Sequence, residues 1–284
     1  MQYLVPQRTE SCFLDGRQPR LRHLDHRTGG SSRLPRALHL HANCAEISFV
    51  YAGSGVHAIG DEIYRSRPGD VLLYNAGVPH DERAAGESGL CCYTLGITAL
   101  RLRGLPENAV ISARHEPLLH AGAAADRLHT LCGYLHDELV RGRTLTADLC
   151  RHFMMALLFD TLELIRVQAT PRAHGEEDLA IRIKRYIDAR YRDNLTLTEL
   201  SEALGVSAYH LGRIFKERTG HSPVQYIIQR RMGEAQTLLT STEASVISIA
   251  EGVGYENANY FNLLFKKHIG VTPGQYRKIT RDRQ

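Results

Sequence analysis

The segment HLHANCAEISFVYAGSG, residues 39–55, sets two histidines and a glutamate just ahead of an apolar run that ends in small residues. Imidazole nitrogens and carboxylate oxygens ligate iron, manganese and zinc. Residues two apart on an extended strand share a face, so His39 and His41 project together. The same groups also serve as polar contacts in a mostly apolar ligand pocket. The residues therefore allow two chemistries: the metal site of an oxygen-using enzyme, or the mouth of a pocket that senses a small molecule.

The elements around them decide between these. Residues 38–112 contain short apolar runs broken by turns, with glycines at 53, 55, 60, 69, 77, 86 and 89 at hairpin intervals. This predicts a small antiparallel β-barrel or sandwich over residues 1–118. Over 119–168 the period becomes helical. Leu128, Leu131, Cys132, Leu135 and Leu139 form one inward set, and Phe153, Leu157, Leu158, Leu162 and Ile165 form a second. These two helices either cap the barrel or mediate dimerisation. Residues 169–178 are polar, contain Pro and Gly and lack periodicity, as a linker does. Residues 179–284 read as short helices.

At 284 residues, two domains are expected. No apolar run nears the ~20 residues that cross a bilayer, which argues against a membrane protein. The start lacks a basic segment followed by an apolar stretch, so the chain is read as cytoplasmic. Six cysteines form no Cys-x-x-Cys pair and read as reduced, buried thiols. The net charge of +4 falls wholly after residue 170, where 17 Arg and Lys face 13 Asp and Glu. That asymmetry points the C-terminal part toward a polyanion.

The C-terminal part is internally repeated: FKERTGHSPVQY at 215–226 matches FKKHIGVTPGQY at 265–276 at an offset of 50. In the first copy Thr196 and Glu199 form a capping box, Gly205 ends that helix, and Ser207 starts another carrying Leu211, Ile214 and Phe215 inward. The second copy runs from Ile247 through Gly254 to a helix begun by Asn257, with Phe261, Leu264 and Phe265 inward. Helix, glycine turn, helix is the helix-turn-helix arrangement. Ser222-Pro223 and Thr272-Pro273 each start the next helix, and SPVQYIIQRRMGEAQTLL is long enough to join the units as one helix.

The stretches LSEALGVSAYHLGRIFKERTGHSPVQYI, RRMGEAQTLL and ISIAEGVGYENANYFNLLFKKHIGVTPGQYR resemble the AraC/XylS family of bacterial transcription regulators over roughly residues 180–280. The resemblance implies two helices in successive major grooves, ~34 Å apart on one side of the duplex. It implies DNA-facing positions at Ala208, Tyr209, Gly212 and Arg213, and at Ala258, Asn259, Asn262 and Leu263. Ser207, His210, Lys216, Asn257, Tyr260 and Lys266 flank them and complete the implied set. Arg213 can bond both acceptors of guanine, and Asn259 or Asn262 can do the same for adenine. The competing role for Arg213 is a phosphate contact or a pair with Glu217, and for the lysines phosphate contacts or a solvated face.

His39, His41, Glu46 and Gly53, with Gly69, Gly77 and His80 downstream, resemble the two cupin motifs. Metal-binding members draw three histidines and a glutamate from them. The resemblance implies a cupin-like double-stranded β-helix and a ligand site at His39, His41, Glu46 and His80. No cofactor is required, and a divalent metal in the pocket is the open alternative, as is a plain pairing of Glu46 with His80. The expected protein is a regulator, not an enzyme: an activator sensing a sugar or metabolite, acting as a homodimer on double-stranded DNA, with RNA polymerase as a further partner. The alternatives are a metal-dependent cupin dioxygenase or isomerase joined to a DNA-binding module, and a C-terminal protein-interaction module.

Overall fold

A computed structural model describes residues 11–29, 36–60, 62–85, 89–171 and 179–281. The expected antiparallel β-domain, paired helices and all-α C-terminal part are all present. Among the described residues nine strands form two antiparallel sheets. The five-stranded sheet runs β1 (Arg20–Arg27), β8 (Leu90–Thr98), β3 (Ala45–Gly53), β6 (Asp70–Tyr74), β9 (Leu118–His120). The four-stranded sheet runs β2 (Arg36–His39), β7 (His80–Ala84), β4 (Gly55–Ile59), β5 (Glu62–Ser66). β9 ends at His120, two residues past the expected edge of the barrel.

Both faces of the five-stranded sheet are covered. Ile47, Phe49, Val71, Leu73, Leu95 and Ile97 pack outward against α1 (Ala125–Arg141) and α2 (Thr146–Gln168). Val50, Leu72, Tyr74 and Cys92 pack inward with Ile59 of the facing sheet. A strand buried on both sides loses the polar and apolar alternation of a half-exposed one, as β3 shows with Ala45 to Val50 all buried. α1 buries Leu128, Cys132 and Leu135 as expected. Leu139 does not join them: it is 41% exposed, one turn beyond the last of these contacts. Of the linker, residues 172–178 lie outside the described residues, and His115 bridges to Pro171.

Among the described residues the C-terminal part is seven helices. α3 (Leu179–Arg190), α4 (Leu197–Leu204) and α5 (Ala208–Thr219) make the first unit, and α7 (Val246–Gly252), α8 (Ala258–Ile269) and α9 (Pro273–Arg281) make the second. α6 (Pro223–Ser241) joins them as one unbroken helix of 19 residues. Local chemistry sets these boundaries. The Thr196–Glu199 capping box closes reciprocally, and Gly205 ends α4 at φ 67. Ser222 caps α6 ahead of Pro223. Gly254, at φ 92, lies where a Cβ would overlap the Arg192 carbonyl, so only glycine lets α7 turn into α8 against the first unit. The six cysteines are all free thiols.

Candidate metal centre and nucleic-acid interface

Two cross-strand rows meet inside the barrel. In the five-stranded sheet, register sets His23 beside Gly96, Gly96 beside Glu46, and Glu46 beside Tyr74. In the four-stranded sheet His39 stands directly opposite His80. His41 enters from the turn after β2. Nε2 of His23 and Nε2 of His41 each lie 3.1 Å from Glu46 Oε1, and His80 Nε2 lies 3.0 Å from Glu46 Oε2. His39, His41, Glu46 and His80 each offer one ligand atom, all within 4.8 Å of one another. Donors bonded at about 2.1 Å to one divalent ion stand at most about 4.2 Å apart, so the set would draw in by a few tenths of an ångström to hold one. Glu46, His39 and His80 are sealed from solvent, whereas the His23 side chain is 32% exposed and that of His41 8%, so the cluster opens on the His23 and His41 side.

The outer nitrogens orient the rings. His39 Nδ1 lies 3.0 Å from the Ala37 carbonyl and His80 Nδ1 2.9 Å from the Val78 carbonyl, which places a proton on each Nδ1 and turns Nε2 into a donor of electrons. His80 then faces acceptors at both nitrogens, the Val78 carbonyl and the Glu46 carboxylate. Three imidazoles and one carboxylate brought this close together are a donor set that fits a divalent metal.

His23 was not among the residues picked out by motif spacing. It reaches Glu46 across Gly96, and a Cβ at 96 would overlap its ring. Only the pairing of β1 with β8 reveals this, because no local spacing links residue 23 to residue 46. Beneath the cluster lies a polar chain. Arg27 pairs with Glu82 at 3.1 Å, Tyr74 donates to Glu82 at 3.2 Å, Tyr74 Oη sits 3.3 Å from His57 Nδ1, and His57 Nε2 is 2.7 Å from Ser66 Oγ. Burial pulls His57 down to about 4, leaving it neutral near pH 7. Burial, reinforced by Glu82, raises Tyr74 well above the usual phenol range. Tyr74 also stacks on the His80 ring with centroids 4.2 Å apart, which holds that ligand flat.

The second surface lies on α5 and α8. Leu211 and Phe215 anchor α5, and Phe261, Phe265 and Ile269 anchor α8, which turns the opposite faces to solvent. Tyr209 is 82% exposed and Leu263 69%. His210, Arg213, Lys216, Asn259, Tyr260 and Lys266 are exposed beside them, and Gly212 and Asn262 are half-buried. Ser207 and Asn257 are committed as caps: Ser207 Oγ accepts from the His210 amide, and Asn257 Oδ1 accepts from the Asn259 and Tyr260 amides. Arg213 pairs with Glu217 at 3.1 Å. Both helices run from an N-cap to a basic last turn, Lys216 and Arg218 on α5 and Lys266, Lys267 and His268 on α8.

Residues 29–162 match the model of the AraC-like ligand binding domain, and residues 200–279 match a helix-turn-helix domain. The chain is 27% identical over 273 residues to the uncharacterized HTH-type transcriptional regulator YdiP of Escherichia coli, covering 95% of this chain and 89% of that one. It is 28% identical over 256 residues to the HTH-type transcriptional activator RhaR of Enterobacter sp., with coverage of 86% and 88%. Among solved structures it is similar to ToxT from Vibrio cholerae at 14% identity and TM-score 0.48, over 93% of this chain and 97% of that one. Relatives matched along most of their length are named as a transcriptional regulator, a transcriptional activator and an operon regulatory protein, which leaves the enzyme alternative without support. Among the described residues no helix is long and apolar enough to cross a membrane. The chain belongs to the AraC family of transcriptional regulators, joining an N-terminal ligand-binding domain to a C-terminal helix-turn-helix domain that binds DNA.

Proposed function

We propose that this regulator senses its effector at the His23, His39, His41, His80 and Glu46 cluster, and that a divalent cation completes the site. The observation that carries this reading is the convergence of imidazole nitrogens on one sealed carboxylate, open on one side. When bound, the cation supplies a Lewis-acidic anchor for an oxygen or nitrogen of the effector. The chain itself orients the ligands through the Ala37 and Val78 carbonyls, and the His23 and His41 edge admits the effector. Metal analysis of purified full-length protein tests this, together with thermal shift on adding Zn²⁺, Mn²⁺ or Fe²⁺. A stabilised fold that Glu46→Gln abolishes is expected. Absence of both metal and shift would return the cluster to direct polar contact with the effector.

On DNA, Tyr209, Arg213, Asn259 and Asn262 are the base-reading side chains of this reading, and Lys216 and Lys266 neutralise phosphates. The named activators among the relatives support an activating role; a place in the cytoplasm and a contact with RNA polymerase belong to the same proposal. Val140, Leu145 and Leu149, exposed around the turn between α1 and α2, support a homodimer through that end of the helical pair.

A further inference from the structure

Three consecutive residues of β2 end in three different places. Ala37 packs into the core of the second helical unit with Met232, Ile249 and Phe261. Leu38 packs into the core of the first with Ile183, Leu211 and Phe215. His39 turns back into the histidine and glutamate cluster.

The backbone is held in the same divided way. The Ala37 amide donates to Gln236 Oε1 at 2.7 Å, and the Leu38 carbonyl accepts from Arg230 at 3.2 Å. The Ala37 carbonyl accepts from His39 Nδ1 at 3.0 Å. Gly233 brings the α6 backbone so close that a Cβ would overlap the Leu38 carbonyl. Arg230 is 1% exposed, and its Nε donates at 3.0 Å to Asp188, which also takes the Tyr226 hydroxyl at 3.0 Å and Lys184 at 2.9 Å. The ladder of β2 to its own sheet is weaker: Arg36 pairs with Glu82 and His39 with His80, with a register shift between them. A four-residue edge strand interrupted in this way takes its position from whatever grips it.

We propose that Arg230, Gly233 and Gln236 of α6 clamp β2, and that through this clamp occupancy of the histidine and glutamate cluster sets the pose of α6 and of the two recognition helices. This rests on reading the cluster as the effector site. His39 and His80, partners across β2 and β7 beside that interruption, would both hold the ion and so tie the two strands together. A stiffened β2 then offers α6 one seat. The coupling is reciprocal, so DNA held by the helical units must in turn change the stability of β2.

The test uses the full-length chain and a duplex enriched by it from random sequence. Zn²⁺ loading is expected to change wild-type affinity for the duplex at least about fivefold relative to chelator-treated protein. Gly233→Ala, which improves helix propensity in α6 while obstructing the Leu38 carbonyl, should bind the duplex with that dependence lost. Gln236→Ala, which removes a single acceptor, should reduce it. Amide exchange at residues 37–39 gives a readout that needs no metal: adding duplex to zinc-free wild type should alter protection there, and should not do so in Gly233→Ala. Full zinc dependence in Gly233→Ala would overturn the clamp. So would zinc-loaded wild type with unchanged affinity, or wild-type exchange at 37–39 indifferent to duplex. A chain that takes up no zinc yet shows duplex-dependent exchange would sink the metal reading and uphold the clamp.

Discussion

Gly96 belongs to the histidine cluster as much as the rings do, because its missing side chain is the space through which His23 meets Glu46. Gly96→Ala should displace His23 and weaken Zn²⁺ binding by about tenfold or more, the usual cost of disturbing groups around a metal site. Competition with a chromophoric chelator measures it, and unchanged affinity would remove His23 from the site. His57 gives a pH prediction. Its value falls from 6.5 unfolded to about 4 folded, so the unfolded chain binds more protons between those values. Stability from keeping this ring neutral is therefore full above about 6.5 and is lost as pH falls toward 4. His57→Gln should flatten that part of a stability profile measured by denaturant unfolding. At Arg213 the exposed pair with Glu217 is worth only about 0.3–0.5 kcal/mol, too little to hold the guanidinium from a base. Arg213→Ala should cost about 1–3 kcal/mol on the selected duplex and far less on random DNA. Equal losses in a salt-controlled binding titration would make Arg213 a phosphate contact.

The elements differ in how far they could be read from sequence, for a physical reason. Helix starts depend on groups within four residues, so Thr196, Ser207, Ser222 and Asn257 announced α4, α5, α6 and α8 correctly. The strands were harder. β3 is covered on both faces, so its sequence could not say that Glu46 and Ser48 point in while Ile47 and Phe49 point out. His39, His41, Glu46 and His80 stand out in the sequence because they lie near turns in a recurring pattern, and the structure brings these four together. His23 and the clamp on β2 do not stand out there, because register and domain docking are long-range facts. The spacing of Leu139 continues the inward stripe of α1, yet the core that takes Leu128, Cys132 and Leu135 does not take Leu139. Its exposure adds to the apolar surface of Val140, Leu145 and Leu149. Leu145→Asp should make the full-length protein monomeric in sedimentation velocity. A persistent dimer would place the interface elsewhere.

At the scale of the whole molecule, the helical units have their own caps and cores, with Ala37 and Leu38 as the barrel's contribution to them. A 179–284 fragment should therefore bind the duplex in a gel shift, with stability reduced by something on the order of the 2–5 kcal/mol that a lost buried leucine costs. Binding by the full chain alone would mean that β2 is needed to complete the fold. α6 carries a further consequence. Nineteen residues of helix span about 28 Å, and a helix, unlike a flexible tether, leaves the second unit no volume to search once the first has landed. The second contact is then an intramolecular event at high effective concentration, so two individually weak readers act as one strong one. Scrambling either half of the selected duplex should thus reduce affinity on the order of 100- to 10,000-fold, far more than the loss of a few hydrogen bonds.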